Sequence, residues 1–455
     1  MFGSGVGRRR LMALAVAALC MVGTAVSASP RTTTTPTSAS FATFAIPSGM
    51  ANADFAGEPS IGINQQTQAI FMQANTTTYK FAPSTQTWTS VSPLATAFNV
   101  DPILATDPTS GLTLAGGDDQ ACSVLAATTD DGQTWHTALP CTFAVDHPTV
   151  GIGPAVGTSP QASGRIVYYC QQYPLLDECT TSSDEGQTWL PAVPVTGGCL
   201  GLFGHLKTAR DGTAYLPVRG CFTPTPNGYL GRGNVGVAVS TNNGRSWTSH
   251  RIPNAPTPRG FDPSLAITPD NTVYETWSED KDFRPVITWS YDRGNTWSTP
   301  VDIAKGAPYP IYATTFPAAV AGDNGRVAVA YLGADRPAAV GKTPFDTGYV
   351  GAWFLYVSAS YDGGRHWATS RVQQAPVQLG TICDDGTRCL SGRNLLDFMD
   401  ANVTSDGRVV VGYANGCEGG CPADVSQVAK SNAAWGTIAI QIGGQRRYRR
   451  TFAPL

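Results

Sequence analysis

The octapeptide from Thr128 to Trp135, TTDDGQTW, returns four times in altered form. The copies are SSDEGQTW at Ser182 to Trp189, STNNGRSW at Ser240 to Trp247, SYDRGNTW at Ser290 to Trp297 and SYDGGRHW at Ser360 to Trp367. The shared pattern is Ser or Thr, any residue, Asp or Asn, any residue, Gly, two further residues and Trp. Five copies at separations of 50 to 70 residues mark a repeat architecture. Each copy reads as a β-hairpin turn. The Asp or Asn accepts backbone N–H bonds, the Gly supplies positive φ, and the Trp packs a large apolar face against the hairpin. Turn chemistry therefore accounts for Asp130, Asp184, Asn242, Asp292 and Asp362 without a catalytic role.

A second repeat precedes each turn: a polar residue or Pro, then a short apolar strand, a turn with Asp or Gly and another apolar strand. It occurs at Glu58, Asp101, His147, His205, Asp262, Phe316 and Asp397, which makes seven units. Two units lack the octapeptide but carry a Trp at a similar offset, Trp88 in the first and Trp435 in the last. Four short strands per unit, repeated radially, predict an all-β propeller of about seven four-stranded blades. Either residues 41–47 or residues 436–442 could supply the outer strand that closes the last blade.

The octapeptides resemble the Asp-boxes (BNR repeats) of sialidases, and the resemblance runs through nearly the whole chain after its N-terminal segment. It implies a β-propeller, six-bladed in sialidases themselves and with more blades in other Asp-box proteins, so six blades are the alternative. It also implies a glycan-acting protein, an exo-sialidase or related exo-glycosidase. Non-catalytic binding or assembly modules and polysaccharide lyases are the other readings. Sialidases grip the substrate carboxylate with three arginines, one in a Phe/Tyr-Arg-Ile-Pro motif. Here the counterpart is Phe44-Ala45-Ile46-Pro47, with Ala45 in the arginine's place. Arg251-Ile252-Pro253 also matches, but it follows the third box, where an outer strand belongs.

The N-terminus has the form of an export signal: Arg8, Arg9 and Arg10, an apolar run from Leu11 to Val22, and small residues ending at Ala28. Residues 1–28 are expected to be cleaved, 29–50 to be a Ser/Thr/Pro-rich linker and first strand, 51–445 the propeller and 446–455 a basic, solvated tail. No other stretch approaches the length of a membrane span. The net charge is −3, and loss of the three leader arginines takes it to −6, which excludes a basic surface for nucleic acid. Setting Cys20 aside, ten cysteines remain in close couples, as an exported disulfide-bonded protein would have. The simplest pairing is Cys122 with Cys141, Cys170 with Cys179, Cys199 with Cys221, Cys383 with Cys389, and Cys417 with Cys421. The alternative, a metal site on Cys383, Cys389, Cys417 and Cys421, lacks the spacing of a zinc knuckle.

In a propeller, the loop into each inner strand and the loop after each second strand share one face around the central channel. That register places Asp262, Asp397, Asp101, Glu58 and Glu279 there as candidate catalytic carboxylates. Arg393, Arg219, Arg336, His147, His205 and Asp400 are the candidate substrate-binding residues. Glycoside hydrolysis needs one protonated and one ionised carboxyl flanking a sugar. Aromatic residues near this face, Tyr173, Trp277 and Phe283, suit sugar stacking. An extracellular glycan or glycoconjugate is the expected partner. No cofactor is required, and a structural calcium is the one ion considered.

Overall fold

The computed structural model describes residues 1–3, 36–93, 101–118, 122–142, 146–157, 164–173, 176–221, 233–256, 262–383, 389, 392–421 and 433–449. Of these, Cys141, Thr142, Asp146, Tyr173, Thr196, Leu200 and Leu202 are described by backbone alone. The expected signal segment lies outside the described residues apart from Met1 to Gly3. Residues 34–455 form one compact unit.

The strands of this unit make seven blades, each a meander running outward from the axis. The inner strands are Ser60–Ile63, Asp101–Thr106, Asp146–Pro154, Lys207–Thr208, Ser264–Ile267, Thr314–Ala321 and Asp400–Val403. Each touches the next, and the last touches the first, so the ring is closed. A distinct apolar cluster fills every junction. Phe71 with Leu104 joins blades 1 and 2, and Leu125 with Val150 joins blades 2 and 3. Tyr168 with Leu216 follows, then Val237 with Leu265, Tyr274 with Val329, and Leu355 with Val411. Met72 with Ile438 closes the ring between blades 1 and 7. Successive residues on a strand serve opposite neighbours: Val273 packs towards blade 4 and Tyr274 towards blade 6. A strand buried on both faces is apolar at both parities, which is why the second strands read as unbroken apolar runs. Seven junctions exclude the six-bladed alternative.

Both candidate segments take part in closure. Residues Trp435–Gly443 form the third strand of blade 7, and Ser40–Ala45 pairs antiparallel beside it as the fourth. The N-terminus thus supplies the outermost strand of the last blade, and Ala45 of the FAIP segment lies there. Trp435 opens a third strand and does not follow a turn between outer strands, so its likeness to the box tryptophans does not hold. Residues 416–434, between the second and third strands, displaced it in the count. Trp88 does occupy the outer strand of blade 1, next to its turn.

The octapeptides form the hairpin turns that their residue types predict. In the first, Asp130 Oδ1 accepts the Thr134 N–H at 2.9 Å and the Thr128 hydroxyl at 2.8 Å, while Thr128 Oγ1 accepts the Gly132 N–H at 3.0 Å. The same bonds recur around Asp184, Asn242, Asp292 and Asp362. Gly244 shows why glycine is needed: φ is +75°, and a Cβ would lie 2.3 Å from Thr181 of the preceding blade. Box tryptophans also reach backwards; Trp189 Nε1 donates to Ala138 O at 2.8 Å.

Four disulfides form as paired from the sequence: Cys170–Cys179, Cys199–Cys221, Cys383–Cys389 and Cys417–Cys421. This overturns the cysteine metal site, because all four of its ligands are oxidised in pairs. Cys122 is also disulfide-bonded, and its expected partner Cys141 is described by backbone alone. Among the described residues there is no helix long and apolar enough to cross a membrane.

One residue of the tail departs from the sequence reading, while Arg446 and Arg449 are exposed. Arg447 is 1% exposed, not solvated. Its Nη1 donates to Val327 O at 2.8 Å and Ser360 O at 3.2 Å, and its guanidinium lies 4.1 Å from the Tyr361 ring centre. Asp323 N donates to Arg447 O at 2.9 Å, and the Arg447 N–H donates to Gly407 O at 2.6 Å. Arg447 is therefore a second clasp across blades 6 and 7. Clustered positive charge reads as solvated by default, yet one guanidinium here meets buried carbonyls and a ring.

Candidate functional site

The lead-in residues of the blades converge around the channel axis. Glu58, His147 and Phe316 each precede a proline and hold positive φ, at 55°, 57° and 55°. At His147 and Phe316 the strand register also shifts, so a bulge turns the side chain out of the ladder. Left-handed backbone at non-glycine residues is strained and concentrates where a side chain must be aimed. Blade 4 achieves the same by a break. Its inner edge is split into Cys199–Phe203 and Lys207–Thr208 around Gly204 and His205. At Gly204 a Cβ would sit 2.0 Å from Pro263 O of blade 5, so only glycine lets Asp262 approach.

Six of the eleven candidate residues form one network. His147 Nε2 and Asp262 Oδ2 are 2.5 Å apart, linking blades 3 and 5, with both side chains under 10% exposed. The His147 N–H donates to Asp101 Oδ2 at 3.3 Å. The Asp397 N–H donates to Glu58 Oε1 at 3.0 Å, and Arg393 clasps both oxygens of Asp397. Burial favours the neutral form of the Glu58 carboxyl, and the charges of Asp397 and Asp101 raise its pKa further; His147 and Arg393 only partly oppose this. For His147 burial works to lower the pKa, but the charge and hydrogen bond of Asp262, with Asp101 behind them, outweigh it and raise it well above its ordinary range. Arg393 likewise keeps its charge, with Asp397 outweighing its burial. The result is a carboxyl biased towards its neutral form among anions and cations.

His205 and Asp400 form a second group. The His205 Nδ1 atom lies 3.3 Å from Asp400 Oδ1, and the Ile61 N–H donates to Asp400 Oδ2 at 3.1 Å. Burial would raise the Asp400 pKa, yet Lys207 and His205 bring it down to about 2. Phe398 joins the groups, standing edge-on to His205 at 4.9 Å and to His147 at 5.9 Å.

Two of the other three candidates are tied to close neighbours in loops. Glu279 pairs with Arg284 at 2.7 Å in a partly exposed loop of blade 5. Arg336 pairs with Asp335 at 3.2 Å in an exposed loop of blade 6. Arg219 is half-buried on the second strand of blade 4, two residues before Cys221. Of the aromatics, Trp277 is 1% exposed and belongs to the core between blades 4 and 5, and Phe283 packs on Phe345 at 5.0 Å. Burial on both faces of a blade makes even a tryptophan core, so Trp277 is not a sugar platform. Tyr173 is described by backbone alone.

Sequence reasoning missed Asp177, Phe398 and Lys207. Burial pushes the Asp177 carboxyl up to about 7 against the opposing Gly201 backbone bond and His147 charge. Nothing local marks it. Lys207 had a signal: two residues beyond His205 on an inner strand, it shares the channel side. Among the described residues, no group of three or more His, Cys, Asp or Glu side chains could hold a metal ion.

No family model and no curated protein matches the chain. Among solved structures, a protein of unknown function from Dyadobacter fermentans aligns at 13% identity and TM-score 0.44, over 88% of this chain and 97% of that one. A Hadza microbial sialidase aligns at 14% and 0.42, over 86% and 66%. An α-L-arabinanase from Penicillium chrysogenum, complexed with arabinobiose, aligns at 12% and 0.42, over 91% and 100%. Likenesses this remote leave the activity open.

Proposed function

We propose that this chain is an exported, sialidase-like glycoside hydrolase that acts on extracellular glycans from the channel face. The observation that carries the reading is the setting of Glu58: a buried carboxyl, bonded through Oε1 to the Asp397 N–H, whose pKa is pushed up by burial and by the charges of Asp397 and Asp101, while Asp397 is tied to the Arg393 guanidinium. Hydrolysis of a glycoside requires that division of labour. Glu58 Oε1 is occupied by the Asp397 N–H, which leaves Oε2 to carry the proton. Glu58 gives that proton to the leaving glycosidic oxygen as the C–O bond breaks. Asp397 or Asp101 stabilises the sugar cation, and a water adds its oxygen to the sugar carbon and its proton to a carboxylate. His147, clamped by Asp262, supplies fixed positive charge beneath the site. In this reading the Arg393 N–H groups that Asp397 leaves over meet an anionic sugar, which favours a sialoside or another acidic exo-substrate.

One feature favours binding without catalysis as a second reading. His147 with Asp262 and Arg393 with Asp397 are satisfied within the network, as in a rigid recognition surface. Turnover of purified mature protein on a panel of fluorogenic glycosides, a sialoside included, separates the two. The hydrolase reading expects release from at least one substrate, reduced at least 100-fold in Glu58→Gln and in Asp397→Asn. Saturable binding of a glycan with no release from any substrate would replace it with the recognition reading.

A further inference from the structure

The second strand of blade 5, Val273–Ser278, packs Val273 and Trp277 against blade 4, and Glu275 between them shares their face by strand parity. The register fixes what stands at the same level in other blades. Opposite the inner-strand residues Ile61, Leu104, Val150, Ala319 and Ala401, the second strands carry Met72, Ala115, Tyr169, Val329 and Val411. Opposite Leu265, blade 5 carries Glu275. Five other blades thus put an apolar side chain or a tyrosine at this level, and blade 5 puts a carboxyl.

Glu275 is 0% exposed, and neither Oε1 nor Oε2 has a hydrogen-bond partner. Among the described residues, the junction between blades 4 and 5 is also the one whose apolar packing falls into two patches. Leu265 and Val273 meet Val237 in the first, and Trp277 and Val286 meet Val235 and Ile252 in the second. Glu275, between Val273 and Trp277, stands at the break. Its ladder partners in blade 5, Ser264–Ile267 and Pro285–Ser290, carry no titratable side chain, and neither does Asn234–Ser240 of blade 4. Elsewhere on blade 4, Lys207 is paired with Asp400, Tyr215 lies near Asp211 and Arg293, His250 near Asp292, and Arg251 donates to Cys221 O. Neither these nor Arg219 offsets the burial, which alone raises the Glu275 pKa well above its ordinary 4.5. A protonated carboxyl can be held unpartnered in such a place, whereas a carboxylate without a partner is far too costly to bury.

We propose that the junction between blades 4 and 5 is a pH-sensitive seam, closed while Glu275 carries its proton and opened when the carboxylate forms. With the proton in place the two patches close over the side chain. Once the proton leaves, the carboxylate needs water, which it reaches only when residues 235–237 separate from residues 273–277. The seam runs up to the charged face. The inner strand Ser264–Ile267 follows directly on Asp262, which holds His147, and a Cβ at Gly204 of blade 4 would meet Pro263 O at 2.0 Å. Opening the seam therefore loosens the tie between blades 3 and 5. The device is independent of the hydrolase reading, because it concerns a different carboxyl and is read from the backbone.

Amide hydrogen exchange of the mature protein from pH 5 to 8, corrected for the intrinsic rate, tests the proposal. The open seam titrates near 4.5 while the closed one keeps its proton, so protection at residues 235–237 and 273–277 should fall by about tenfold per pH unit. Protection at Phe71 and Leu104, in the junction between blades 1 and 2, should change by no more than about threefold over the whole range. Glu275→Gln and Glu275→Leu should each flatten the profile of the seam, and Glu58→Gln should leave it as it is. Equal profiles at the two junctions of the wild type, or a seam slope that persists in folded Glu275→Gln, would overturn the proposal. The comparison of the two junctions within the wild type decides it even where the Glu275 variants fail to fold.

Discussion

The box turns and the channel face are built from the same residue types and differ in how far apart in sequence their partners lie. In a box, Asp130 finds every partner within four residues, at Thr128 and Thr134. On the channel face, His147 pairs with Asp262, 115 residues away, and Glu58 with Asp397, 339 away. A local motif can be read from spacing. A ring of residues contributed one per blade becomes a site only when the ring closes.

The contrast predicts that the face governs activity and the boxes and clasps govern stability. The largest effect belongs to Glu58→Gln, with kcat/KM falling at least 100-fold, which is about 3 kcal/mol of transition-state stabilisation. That loss should come without a loss of stability. Native Glu58 binds its proton more tightly than the unfolded chain does, so its ionisation opposes folding as pH rises above 4.5. The variant should lack that slope in a melting series from pH 4 to 8, and a variant less stable than wild type at pH 7 would count against the neutral-acid assignment.

Arg447→Met should cost roughly 3 kcal/mol by removing buried hydrogen bonds and a cation–π contact, with glycosidase turnover retained at low temperature. Denaturant midpoints decide it, and a change near zero would mean the tail is solvated after all. Gly244→Ala forces a Cβ into Thr181 at positive φ and should cost about 2 kcal/mol, again without touching turnover. Loss of activity in parallel would show that boxes and face are coupled. The Asp400 pKa lies below its ordinary 3.8, at about 2, so its contribution is present above pH 3.8 and fades as pH falls towards 2. Asp400→Asn should remove that part of the acid limb, on the order of 2 kcal/mol. The smallest effect is His366→Thr, which restores the box residue seen at Thr134. Exposed, with its Nδ1 2.6 Å from Asp362, His366 should contribute no more than about 0.5 kcal/mol in chemical denaturation.

The fold was legible because each blade repeats its own instructions. The five octapeptides place the outer turns, and the apolar runs after Glu58, Asp101, His147, His205, Asp262, Phe316 and Asp397 place the inner strands. Closure was open, since Ser40–Ala45 and Trp435–Gly443 are both short apolar strands, and only the ring decides which lies outermost. Trp435 misled for a related reason: an offset within a repeat fails where residues 416–434 lengthen a loop. On the face, the residue before the inner strand was the right place to look. Glu279, Arg219 and Arg336 were drawn in by the loops after the second strands. Those loops vary in length, and in Glu279 and Arg336 they hold a charge already paired with a close neighbour. Asp177 became visible only when burial could be assigned, because two parities of a doubly buried strand look alike in sequence.

The proposed acid catalysis requires one protonation state, a Glu58 carboxyl that keeps its proton at neutral pH amid charged neighbours. Infrared difference spectra between wild type and Glu58→Gln at neutral pH report it directly, whether or not a substrate is known. A protonated carboxyl C=O band is expected in wild type that the variant lacks, with the bands of Asp177 and Glu275, also raised by burial, present in both. A wild-type spectrum in which Glu58 contributes only carboxylate bands would contradict the neutral-acid assignment.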